Sequence, residues 1–146
     1  MVSPQLALQL KQAGLPWRPT MRDTFVLLGT GMDEQIFAIS DSAVLIQLLH
    51  GQPVVTFHGS VEWALDSVQL ADALWLPSET QVRQELERRL DERGGSGPSL
   101  QREPNGYACA VMAEGQEQRF SAPSASDAYG HALLALLDRE RVVSAA

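Results

Sequence analysis

Ser99-Leu100-Gln101-Arg102-Glu103-Pro104-Asn105-Gly106-Tyr107-Ala108-Cys109-Ala110-Val111-Met112-Ala113-Glu114-Gly115-Gln116-Glu117-Gln118-Arg119-Phe120-Ser121 is the stretch that decides the fold class. It carries two turn signals. Asn105-Gly106 is a strong hairpin dipeptide, because these residue types accept the positive φ of tight hairpin turns. Glu114-Gly115 closes the next run. Between them, Tyr107, Cys109, Val111 and Ala113 alternate onto one face, the period of a half-buried strand. Strands joined by turns this short pair antiparallel, since a parallel pair needs a long crossover. A helix predicted from about Ser124 to Arg139 brings Tyr129, Ala132, Leu133, Leu136 and Leu137 to one side and covers the sheet.

Reading back toward the start, Gly94-Gly95-Ser96-Gly97-Pro98 has the composition of a linker. Before it, Ser78 and Gln81 fit a capping box, and Val82, Leu86 and Leu90 form a narrow apolar stripe. Glu79–Arg83 and Glu85–Arg89 are i,i+4 pairs on that surface helix. A further helix is expected from Ser60, with Val61, Ala64, Leu65, Val68 and Ala71 as its stripe. Four strands precede it, over residues 24–28, 35–40, 43–49 and 54–57, with a hairpin loop at His50-Gly51-Gln52-Pro53. Ser3-Pro4 opens a first helix carrying Leu6, Leu10 and Ala13, which Gly14 stops. The expectation is an α+β fold of antiparallel sheets with helices packed on one face, in the order α-ββββ-α-α-βββ-α. Residues 1–93 form an N-terminal α+β unit, 94–98 the linker, and 99–146 a small βββα unit. That closing unit is too small to be very stable alone, so it is expected to pack on the first and make one compact domain.

The composition bounds the function classes. The 146 residues are 45% hydrophobic and 20% charged, which is globular rather than disordered. The formal charge is −7. Phosphate backbones are bound by clustered Lys and Arg. Here the basic cluster of Arg83, Arg88, Arg89 and Arg93 is interleaved with Glu79, Glu85, Glu87, Asp91 and Glu92, which argues against nucleic acid. The single cysteine, Cys109, forms no internal disulfide and fits a reducing compartment. The start Met1-Val2-Ser3-Pro4 lacks a secretory pattern, and the apolar run Ala43 to Leu49 is too short to span a bilayer. A cytoplasmic location is expected, with no membrane contact and no cofactor. Ten Arg against one Lys suggest a GC-rich bacterial genome.

Candidate chemistry is sparse. Gly29-Thr30-Gly31 is followed by Asp33 and Glu34 and has no lysine, so it reads as a tight turn and not a phosphate cradle. His58, Ser60 and Asp66 contain triad residue types, but the glycines of a nucleophile elbow are missing, and a helix cap accounts for Ser60. His58, Glu62 and Asp66 have the i,i+4,i+8 spacing of one helix face and could hold a divalent metal if the helix began early. Asp127, His131 and Asp138 read as a polar outer stripe, and His50 as an exposed turn residue. Cys109 reads as a buried structural thiol. Trp17 and Trp75 suit a core. Trp63 points away from the stripe of its helix and is a candidate contact for a partner or a second copy.

Phe57-His58-Gly59-Ser60-Val61-Glu62-Trp63-Ala64-Leu65-Asp66-Ser67-Val68 and Ala73-Leu74-Trp75-Leu76-Pro77-Ser78-Glu79 resemble a family of short bacterial proteins, some of them labelled "pilus assembly protein". Leu8-Gln9-Leu10-Lys11-Gln12-Ala13-Gly14-Leu15-Pro16-Trp17 and Met32-Asp33-Glu34-Gln35-Ile36-Phe37 match its N-terminal pattern. The likeness covers roughly residues 1–90, with a further echo between Phe120 and Tyr129. It implies no catalytic residues. The closing βββα unit is also similar in outline to small antitoxin-type modules. The resulting expectation is a non-catalytic accessory or protein-interaction protein, with a protein partner or itself in a homodimer. The alternatives are an antitoxin- or immunity-like binder of a basic partner, and a small metal-dependent hydrolase centred on His58, Glu62 and Asp66.

Overall fold

Helix α1 (Pro4–Gln12) starts at a proline, whose missing N–H has no partner in a first turn anyway. Ser3 takes the extended cap conformation without a side-chain bond; its N–H donates to Asp127 Oδ1 at 2.8 Å instead. The helix closes in a Schellman motif. Leu15 N–H donates to the Leu10 carbonyl and Gly14 N–H to that of Lys11, each at 3.0 Å. The computed structural model describes residues 1–29, 35–39, 43–49, 52–58 and 67–145, of which 43–49, 52–58, 67–70 and 143–145 are described by their backbone. The chain divides into two compact units, Met1–Pro16 with Pro77–Ala146, and Trp17–Leu76. No helix among the described residues is long and apolar enough to cross a membrane.

In the first unit, α2 (Glu79–Glu92) opens with the expected capping box: Gln81 N–H donates to Ser78 Oγ at 3.2 Å, and Ser78 N–H to Gln81 Oε1 at 2.9 Å. Its stripe Val82, Leu86 and Leu90 is fully buried. Strands β7 (Ser96–Glu103), β8 (Gly106–Ala113) and β9 (Gln116–Ala122) form an antiparallel sheet in that order. Helix α3 (Ala125–Ala145) packs on β8 and β9, and α1 and α2 pack on α3. The core between them is Leu6, Leu10, Leu86, Leu90, Cys109, Val111, Leu133, Leu136 and Leu137. Arg89 ties α2 to α3 through Glu140, and Arg93 adds a bond to the Leu136 carbonyl at 3.2 Å.

The glycine-rich stretch 94–98 takes a different place from the linker expected there. Gly94 N–H donates to the Asp91 carbonyl and Gly95 N–H to that of Leu90, a second Schellman closure. A Cβ on Gly95 would lie 2.4 Å from the Met112 carbonyl, so glycine is needed where the chain crosses β8 closely. Residues from Ser96 onward already belong to β7. The composition of a flexible tether and of a tight cap at a sheet edge is the same, and packing decides which forms. The breaks between units lie after Pro16 and after Leu76.

In the second unit, β1 (Thr24–Leu27) sits centrally between β2 (Phe37–Ala38) and β6 (Ala73–Leu76), all antiparallel. Phe25, Leu27, Ile39 and Ala73 are buried there, with Trp17 and Phe37 packed against them. A second antiparallel sheet has the order β3 (Ala43–Leu49), β4 (Gln52–His58), β5 (Ser67–Gln69). The β3 assignment matches the sequence reading. The hairpin is tighter than expected, with Leu49 opposite Gln52 and Pro53 inside the ladder. The helix expected from Ser60 to Ala71 does not form over its described part. Residues 59–66 lie outside the described residues; Ser67–Gln69 is a strand with Val68 opposite Val55, and Leu70–Asp72 is a single 3-10 turn. Val68 and Ala71 satisfied a helical spacing, but a β-branched residue facing another strand suits a pleated surface better, and cross-strand pairing overrides a short periodicity. The fold is α+β with antiparallel sheets, in the expected order apart from this exchange and the added strand β6.

Candidate functional site

The residues singled out for metal chemistry are not assembled by the described part of the chain. Glu62 and Asp66 lie outside the described residues, as do Trp63, Ser60 and His50. The backbone of His58 is the last residue of β4 and therefore extended, so it does not belong to a helix face. Among the described residues no group of three His, Cys, Asp or Glu could hold a metal ion.

The other titratable candidates are engaged in structure. Asp127 accepts from Ser3 N–H, and its own N–H donates to Ser124 Oγ at 3.1 Å, which caps α3. Asp138 receives Arg141 Nη2 at 2.8 Å. Cys109 is fully buried, and burial pushes its thiol up to about 11, well away from thiolate reactivity. Asp23, only 3% exposed, accepts from Trp17 Nε1 at 2.9 Å and from Thr20 N–H at 3.0 Å. Trp17 and Trp75, both half-buried, stack with rings 6.3 Å apart and 7° from parallel.

What the first unit does present is an open sheet edge. Among the described residues β9 pairs on one side only, with β8. Two hollows border it. One, of about 300 Å³, lies at the Pro104–Asn105 turn and reaches Ser121 and Ala122. The other, of about 410 Å³, runs between β9 and α3, with Phe120, Leu134 and Ala135 as apolar lining and Arg119, Ser121, His131 and Asp138 as polar lining. His131 and Asp138 both line this second hollow.

The turn before β9 sets which backbone groups face outward. Glu114 and Gly115 have φ of 54° and 75°, both positive, and connect the directly opposed pair Ala113 and Gln116. A two-residue loop of this kind is a type I′ turn, closed by a hydrogen bond between its flanking residues. Pairs then alternate along the ladder, so Gln116, Gln118, Phe120 and Ala122 bond toward β8. The N–H and C=O groups of Glu117, Arg119 and Ser121 point to the free edge. Their side chains lie on the sheet face away from α3, where β8 carries Ala108 and Ala110 opposite Ser121 and Arg119. These small residues let the flanking strands meet across β8: Arg119 Nη2 donates to Gln101 Oε1 at 3.1 Å, and Ser121 Oγ to Glu103 Oε1 at 2.8 Å. Ala108 is 1% exposed beneath that roof.

Compared with family models, curated proteins and solved structures, the chain matches none of them. The site therefore stands on its geometry. A row of directed main-chain donors and acceptors, flanked by an apolar groove, is suited to receive an extended chain. The sequence reading found β9 as a strand but not as an edge. The signal available was its position as the last strand of a meander, directly before the covering helix.

Proposed function

We propose that this chain is a non-catalytic protein-interaction module that binds by strand addition along β9. The observation that carries the reading is the outward row of Glu117, Arg119 and Ser121 backbone groups beside the Phe120–Leu134–Ala135 groove. Main-chain bonds would supply affinity, and the groove would select side chains at alternate positions of the added strand. The acidic balance of −7 adds repulsion toward nucleic acid. On this reading the chain acts in a bacterial cytoplasm, where its lone thiol stays reduced. The resemblance to short proteins labelled "pilus assembly protein" fits an accessory role without catalysis.

Random peptides displayed on phage and selected on the immobilised chain test this. The expected outcome is enrichment of peptides that shift the amide resonances of Glu117, Arg119 and Ser121. Ser121→Pro, which removes one outward N–H, should weaken them strongly. Enriched peptides that leave those amides unmoved, or no enrichment at all, overturn the reading.

A further inference from the structure

Resting on that reading of β9 as the binding edge, we infer that the strand it receives is β9 of a second copy, antiparallel and centred on Gln118. The argument is one of register. Two copies related by a twofold axis place residue 118+n opposite residue 118−n of the other copy when Gln118 sits on the axis. Glu117 then faces Arg119 of the partner strand, and Arg119 faces its Glu117. Both residues carry outward backbone groups, so each of these pairs is of the hydrogen-bonded kind. Gln118 meets Gln118 in the non-bonded position between them.

Charge selects this register among those the backbone allows. Centring on Arg119 would set two guanidinium groups opposite each other, which is destabilising. Centring on Phe120 keeps the bonding pattern but sets Glu117 opposite Pro123, past the end of the partner strand, where it meets no base. Only the Gln118 register gives two opposed acid–base pairs, one on each side of the axis. Glu117 and Arg119 are both exposed, on the sheet face away from α3. The edge has one acid and one base between Gln116 and Ala122, so it carries no net charge of its own. The acidic surplus elsewhere is screened over about 8 Å at physiological ionic strength. On the opposite face, Leu134 and Ala135 of α3 are half-exposed beside β9, where the second copy's α3 would approach.

Sedimentation equilibrium of the full chain, with amide exchange, tests the inference. The wild type should be a dimer with Glu117 and Arg119 amides protected. Glu117→Arg and Arg119→Glu should each weaken the dimer by about tenfold, because two attractive cross-strand pairs become repulsive. The double variant Glu117→Arg/Arg119→Glu should restore it, and circular dichroism checks that each variant is folded. A monomeric wild type at the highest soluble concentration overturns self-pairing, as does a double variant no tighter than the single ones. If the wild type is monomeric while displayed peptides still shift the Glu117, Arg119 and Ser121 amides, self-pairing falls and the wider strand-addition reading stands. If neither occurs, both fall.

Discussion

Cys109 shows how one buried atom couples to solution conditions. It sits at the centre of β8, between Leu100 and Phe120 on the neighbouring strands. Burial raises its thiol from 9.0 to about 11. The folded state therefore keeps its proton where the unfolded chain has lost it. The stability tied to that proton is complete below pH 9.0 and is lost as pH rises toward about 11. Denaturation followed across this alkaline window should show a steeper loss for the wild type than for Cys109→Ala, and native Cys109 should resist alkylation until the protein unfolds. Asp23 makes the complementary case of a carboxylate consumed by structure. Asp23→Ala strands Trp17 Nε1 and the Thr20 N–H, and should cost about 1–3 kcal/mol with a changed Trp17 fluorescence on urea titration. Cys109 was legible in the sequence because strand alternation places it inward. The role of Asp23 was not, since a carboxylate that accepts from an indole six residues earlier leaves no periodic trace.

At the level of elements, legibility follows burial on one face. β8 and α3 were readable because each has a face sealed by the other, which forces apolar residues into a period. The capping box of α2 was readable because it is local chemistry within four residues. Ser78→Ala should remove it and lower stability by about 1 kcal/mol, measured by thermal unfolding, with Gln81 left unable to close the pair. β6 went unread: Ala73-Leu74-Trp75-Leu76 is a short apolar run whose partner, β1, is far away in sequence. The edge character of β9 was hidden for a related reason. Whether a strand has one neighbour or two is a property of the sheet, and no residue of the strand encodes it alone.

For the whole molecule, the division into units matters more than the glycine-rich stretch suggested. The first unit draws its core from both of its segments, with Leu6 and Leu10 of α1 buried alongside Leu86, Leu133 and Leu136. It should therefore fold without residues 17–76. A chain in which a flexible Gly/Ser connector replaces that span is expected to keep helical circular dichroism and a cooperative transition, whereas 99–146 alone should not, because it lacks α1 and α2. The same arrangement fixes an order of events during synthesis. The Ser3 amide waits for Asp127, 124 positions downstream, and Leu6 waits for Gly130, where even a methyl group would collide with it. Helix α1 thus leaves the ribosome well before α3, the helix that seats it, and the contacts between them form only once that distant segment has been made.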